Sequence, residues 1–165
     1  MWDENQLKLA TSVGKMLKKH GHVLTIVESC TGGLASALIT EIAGCSAWFD
    51  SGIVTYSNAA KQDLVNVKDY TLQAHGAVSE ETAADMAVSA LLQGRATMTA
   101  SITGIAGPTG GTKTKPVGTV CFGWAGQELP LITRTHLLTG NRQQIRMQAV
   151  EIALNGILEL SKHIE

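Results

Sequence analysis

Three short segments of this chain carry side chains able to do acyl-transfer chemistry: Glu28-Ser29-Cys30-Thr31-Gly32-Gly33, Tyr56-Ser57-Asn58-Ala59-Ala60-Lys61 and Thr103-Gly104-Ile105-Ala106-Gly107-Pro108. Ser29 stands where an apolar run gives way to two glycines and a helical pattern, which predicts a strand-to-helix turn. A hydroxyl nucleophile there would have the N–H groups of Thr31, Gly32 and Gly33 facing a developing oxyanion, within the field of a helix N-terminus. The same position also suits a plain helix-capping serine. A serine needs a base, and no histidine is placed in sequence for a Ser-His-Asp arrangement. Lys61 is the natural candidate, because the start of a helix and partial burial both favour its neutral amine; a solvated surface lysine is the other reading. Tyr56 offers a hydroxyl to relay a proton or orient Lys61, or a core tyrosine, and Thr103 offers one more hydroxyl. Cys30 is the rival nucleophile, ranked second because a cysteine mechanism usually brings a histidine base.

A glycine-rich stretch follows the third segment. Gly107-Pro-Thr-Gly-Gly-Thr-Lys-Thr114 falls one residue short of a phosphate-binding GxxxxGK[ST] loop and leads into a strand rather than a helix, so a nucleotide triphosphatase is excluded. Its backbone amides remain suited to wrapping a phosphate or an amide, or the stretch is simply a flexible connection. Arg142 opens a predicted helix, where a cation opposes the macrodipole; its placement asks for an anionic partner on a ligand, or a surface ion pair.

The elements that must position these groups follow from hydropathy. Leu7, Ala10, Val13 and Leu17 make a helical stripe closed by Gly21, and Val23–Val27 reads as a buried strand. A second helix is expected through Ile42 to Gly44, then a strand over Trp48–Ser57 and a short helix from Asn58 to Val65. Ser79 caps a further helix, Met98–Ile105 is a strand, and Val117–Trp124 with Leu129–Leu138 form a hairpin. A last helix starts near Asn141. Alternating helices and strands ending in a hairpin predict an α/β protein, a layered α/β/α sandwich around a mixed sheet, with residues 1–165 as one domain. In such folds ligands bind beyond the carboxyl ends of parallel strands, where all three segments lie.

Composition narrows the partners. With 165 residues and a formal net charge of -1, the chain is a poor match for nucleic acid, whose non-specific binding needs many Lys and Arg contacts. Charged residues make up 16%, low enough to suggest that some surface is covered in a homo-oligomer. No apolar run is long enough to span a membrane, so none is expected as a partner. The 3 cysteines lack a CxxC pair and no signal peptide precedes them, which reads as reduced thiols of a cytoplasmic protein. The 5 histidines form no HxxxH or HExxH pattern, so no metal is expected. Of 17 glycines, those from Gly104 to Gly126 and the Gly32-Gly33 pair are clustered where the candidate site lies.

Taken together, these stretches resemble the C-terminal domain of the CinA (competence/damage-inducible) family, the nicotinamide-nucleotide amidase family. The resemblance rests on Glu28-Ser-Cys-Thr-Gly-Gly33, Val54-Thr-Tyr-Ser-Asn58 with Lys61, Gly76-Ala-Val-Ser-Glu80, Gly104-Ile-Ala-Gly-Pro108 with Gly110-Gly111, and Lys115-Pro-Val-Gly-Thr-Val120. It implies hydrolysis of nicotinamide mononucleotide to nicotinate mononucleotide and ammonia in pyridine-nucleotide salvage, with no cofactor. It further implies Ser29 as nucleophile, Lys61 as base, and Tyr56 and Thr103 as supporting hydroxyls. Cys30, Thr31, Gly32, Gly33, Gly104, Gly107, Gly110, Gly111 and Arg142 are then expected to bind the small mononucleotide. The competing reading keeps the same loops in a catalytically inactive paralogue, a pyridine-nucleotide binding or regulatory module.

Overall fold

The structure, a computed structural model, describes residues 2–164. Its strands are β1 (Leu24–Glu28), β2 (Phe49–Val54), β3 (Met98–Gly104), β4 (Thr119–Gly126) and β5 (Leu129–Leu137). They form one sheet in the order β2-β1-β3-β4-β5. β1 runs parallel to β2 and to β3, and the remaining pairs are antiparallel. β1, β3 and β4 are buried almost throughout, as strands covered on both faces must be, whereas β2 alternates between half-buried and exposed as an edge strand.

Helices cover both faces. On one lie α1 (Glu4–His20), α2 (Leu34–Thr40) and α6 (Arg142–Leu160), enclosing the larger core around Trp48, Phe122 and Trp124. On the other, α3 (Asn58–Val65), α4 (Asp69–His75) and α5 (Glu80–Gln93) meet the sheet over Val27, Val65, Val67, Met86 and Ala90. The layered α/β/α arrangement around a mixed sheet is the one expected from the sequence. Local signals placed the helix ends: Asp3 and Gln6 form a capping box on α1, Gly21 ends it with φ of +69°, and Asn141 and Gln144 form a second box on α6. Ser57 and Ser79 cap α3 and α5.

Polar residues within β3 serve the layering directly. Thr99, Ser101 and Thr103 share one face of the strand and donate to the carbonyls of Ala87 at 2.8 Å, Ala83 at 2.6 Å and Ala77 at 2.7 Å, fastening α5 and its leading segment to the sheet. On the opposite face Trp124 Nε1 donates to the Ala153 carbonyl at 2.9 Å. A β-carbon at Gly156 would overlap that indole, so the close approach of α6 to β4 requires glycine there.

Two elements differ from expectation. α2 ends at Thr40 rather than near Gly44, because the amides of Glu41, Ile42 and Cys45 bond carbonyls three residues back. The Thr40 hydroxyl also turns onto the Ser36 and Ala37 carbonyls, and the chain continues as a 3₁₀ turn over Cys45–Ala47. α4 was not expected at all; with Thr71 its one buried residue and only Leu72 packed on the core beneath, it has no apolar stripe to read. No helix among the described residues is long and apolar enough to cross a membrane.

Candidate active site

The parallel register puts Glu28 opposite Val54 on β2 and Ile102 on β3, so the chain leaves all three strands at one edge of the sheet. The residues that follow, Ser29, Thr55-Tyr56 and Thr103-Gly104, therefore converge at the point where β1 is flanked on both sides by parallel strands. Ser29 is anchored there by its amide, which donates to the Ile102 carbonyl at 2.9 Å.

Glu28 shapes the turn that carries Ser29. Its side chain is completely buried, and it accepts from the Thr31 hydroxyl at 2.6 Å, the amides of Gly33, Ala35 and Ser36 at 3.1, 3.1 and 2.9 Å, and the Ser36 hydroxyl at 2.7 Å. A buried carboxylate is costly unless its oxygens are saturated in this way. Here it occupies the N-terminus of α2, where the amides are otherwise orphaned and the dipole favours an anion. Ser29 is accordingly not the helix cap: Gly33 holds the N-cap position, and Gly32 and Gly33 supply the positive φ values, +59° and +97°, that fold the turn back onto Glu28.

This arrangement corrects the expected oxyanion donors. The Gly33 amide is bound to Glu28 and the Gly32 amide to the Ser29 carbonyl at 3.0 Å, so neither faces a ligand. In the turn, the amides of Cys30 and Thr31 bond no other residue among the described residues, and the Cys30 amide faces its own thiol. Arg146, on α6, completes the turn by donating from Nε to the Cys30 carbonyl at 3.1 Å and from Nη2 to the Thr31 carbonyl at 2.8 Å.

Lys61 reaches Ser29 from α3. Its side chain is 1% exposed, and Nζ lies 3.1 Å from Ser29 Oγ, 3.0 Å from the Thr55 carbonyl and 3.4 Å from the Tyr56 carbonyl. Burial pushes the Lys61 pKa below its ordinary value of 10.5. Three oxygens surround the nitrogen: an ammonium would donate to all of them, whereas a neutral amine would donate to the two carbonyls and accept from the Ser29 hydroxyl. Cys30 contrasts with it, since burial pushes its thiol up to about 11 and keeps it protonated at neutral pH.

The two supporting hydroxyls lie elsewhere. Thr103 borders the cleft but donates to the Ala77 carbonyl rather than toward Lys61. Tyr56 touches Lys61 only through its carbonyl; its ring is 61% exposed and its phenol oxygen accepts from Arg142 Nη2 at 3.1 Å. Arg142 also donates to the Gly107 carbonyl at 2.6 Å, so the cation links Tyr56 to Gly107 across the cleft and joins no ion pair among the described residues. The cleft holds about 340 Å³, with Ser29, Cys30 and Lys61 at its floor and Gly104, Gly107 and Gly110 along one wall. Gly111 is not on that wall, because it packs against Val117, whose backbone a β-carbon there would strike at 2.7 Å. Thr31, Gly32 and Gly33 also lie outside the cleft lining.

Sequence reasoning placed Glu28 and Asn58 in the converging segments without giving either a role, and missed Arg146. Glu28 carried a usable signal, a charged residue ending an otherwise apolar strand, which demands a dedicated set of donors. Arg146 carried none, since only the docking of α6 brings it to the turn. Among the described residues no cluster of three His, Cys, Asp or Glu side chains could hold a metal ion.

A model of the CinA C-terminal domain family matches residues 6–161. The chain is 48% identical over 157 residues to the nicotinamide-nucleotide amidohydrolase PncC of Escherichia coli strain K12, spanning 95% of each chain. It is 47% identical over 151 residues to the protein of the same name from Enterobacter agglomerans, spanning 92% of each. Among solved structures, it superposes with a TM-score of 0.94 on the competence/damage inducible protein CihA from Agrobacterium tumefaciens, at 38% identity over 97% of this chain and 98% of that one.

Proposed function

The chain belongs to the CinA C-terminal domain family, and from that premise we propose that it hydrolyses the carboxamide of nicotinamide mononucleotide, giving nicotinate mononucleotide and ammonia. The observation that carries the reading is the contact of a buried Lys61 amine with Ser29 Oγ at 3.1 Å, with two carbonyls taking up the amine's N–H groups. Neutral Lys61 takes the Ser29 proton as Oγ attacks the carboxamide carbon. The oxyanion is met by the amide of Cys30, the residue next to Ser29 that lines the cleft and whose N–H bonds no other residue among the described residues. The C–N bond then breaks, Lys61 returns its proton to the departing nitrogen, and ammonia leaves. Water, deprotonated by the same amine, hydrolyses the acyl-enzyme and regenerates the Ser29 hydroxyl.

The opposite wall suits the nucleotide's phosphate. Arg142 lies at its mouth, and the amides of Ala106 and Gly107 make no hydrogen bond among the described residues. A single phosphate held by one guanidinium and a few amides is compatible with the chain's near-zero net charge.

Purified protein is expected to release ammonia from nicotinamide mononucleotide, and Ser29→Ala to lose that activity while melting at a similar temperature. Ammonia release that survives Ser29→Ala refutes the serine mechanism. Stabilisation by the nucleotide without any turnover identifies a binding module instead.

A further inference from the structure

Arg146 is a half-buried cation, yet none of the ion pairs among the described residues involves it. Both of its hydrogen bonds go to backbone carbonyls of the nucleophile turn, those of Cys30 and Thr31. A trans peptide points its N–H opposite its C=O, so the Thr31 N–H, on the same peptide as the Cys30 carbonyl, faces away from the guanidinium. The second contact acts one step further along the chain. The Thr31 carbonyl shares its peptide with the Gly32 N–H, which donates to the Ser29 carbonyl at 3.0 Å. That carbonyl in turn shares its peptide with the Cys30 N–H. The Thr31 amide is thus reached from Arg146 directly, and the Cys30 amide, on the residue that lines the cleft, through the Gly32 to Ser29 hydrogen bond.

We propose that Arg146 is the positioning residue of the oxyanion site: its guanidinium, seated on the Cys30 and Thr31 carbonyls, fixes the turn so that the Cys30 amide, on the residue that lines the cleft, is held in direction for developing negative charge. Charge-assisted bonds to the carbonyls strengthen the donors at the other ends of the same peptides, and hydrogen-bonded chains polarise one another. Glu28 holds the far half of the turn by its amides, while Arg146 holds the near half by its carbonyls, so the turn is clamped from both ends. The two-pronged contact needs the planar guanidinium fork, and a lysine ammonium would reproduce only part of it.

This inference rests on Ser29 being the nucleophile. The test therefore pairs ammonia release from nicotinamide mononucleotide with a second readout, the rate at which a fluorophosphonate labels Ser29. In that reaction the Oγ–P bond forms, the P–F bond breaks, fluoride leaves and the serine proton passes to the amine. For Arg146→Ala we expect kcat and labelling rate both to fall about 30- to 100-fold with KM within about threefold. Arg146→Lys, the variant that carries the test if Arg146→Ala fails to fold, should recover part of the loss, and added guanidinium ion at low millimolar concentration should accelerate Arg146→Ala. Labelling of either variant within about twofold of wild type overturns the proposal, as does a loss that guanidinium does not relieve in a folded Arg146→Ala. Wild-type protein labelled at Ser29 but inert toward the nucleotide refutes the proposed substrate alone, and the labelling rates then still decide the role of Arg146. Wild-type protein that is not labelled at Ser29 overturns both.

Discussion

Replacing Lys61 by methionine tests the buried amine most directly, because it removes the titrating nitrogen while keeping most of the side chain's volume. The structure gives opposing consequences. The variant leaves the carbonyls of Thr55 and Tyr56 without the partner now at 3.0 and 3.4 Å, and an unsatisfied buried carbonyl costs about 1–3 kcal/mol. It also removes the cost of burying a group that is charged in water. That second effect depends on pH. Burial lowers the Lys61 pKa in the folded protein below the value of 10.5 that the unfolded chain retains. Between those two values the unfolded chain binds a proton that the folded protein does not, so folded wild type gains stability as pH rises, by up to about 1.4 kcal/mol per unit. Below the folded pKa both states are protonated and the penalty is constant; above 10.5 both are neutral and it is absent.

Urea unfolding of wild type and Lys61→Met across a pH series therefore yields a stability difference that is flat at the acid end. It tilts toward wild type as pH approaches 10.5. Groups distant from Lys61 titrate alike in both proteins and cancel in the difference; the Cys30 thiol, whose charge is coupled to Lys61, does not, so both proteins are compared with Cys30→Ala in place. Ammonia release by the wild type should rise with pH across the same folded pKa and then level, and Lys61→Met should lose about 10²- to 10⁴-fold. A stability difference independent of pH, or one that tilts toward the variant as pH rises, would refute the assignment of Lys61 as a desolvated base.

Two further outcomes follow from the turn. Glu28→Gln places an NH₂ against amide donors in a fully buried site and should cost about 3 kcal/mol in urea unfolding; a loss below about 1 kcal/mol would show that the carboxylate does not anchor α2. Cys30→Ala should retain activity within about threefold, since the thiol, pushed up to about 11 by burial, is protonated at neutral pH; near-complete loss of turnover in a folded variant would move the nucleophile from Ser29 to Cys30.

Periodicity and caps made most of the fold readable. The stripe of α1, the capping serines of α3 and α5, the apolar run of β1 and the glycine at the end of α1 are local signals, and local physics acted on them. The exceptions are informative: α4 lacks an apolar stripe because it touches the core through so little of its surface, and the last turn of α2 yielded to tighter hydrogen bonding around Thr40. The pairing of Ser29 with Lys61 was also legible, since both follow strands that end at the same edge of a parallel sheet. Hydrogen-bond direction was not legible. Thr103 was a reasonable support for Lys61 by sequence, yet it is the third of three hydroxyls that fasten β3 to α5 and its approach. Gly32 and Gly33 looked like oxyanion donors, yet a buried carboxylate and a carbonyl of the same turn had prior claim on their amides. Residue type and spacing by themselves determine which groups arrive at the edge of the sheet. Which donor meets which acceptor is a competition among all groups brought within about 3 Å of one another, and only the packing of α3 and α6 against that edge, with Lys61 and Arg146 on them, settled it.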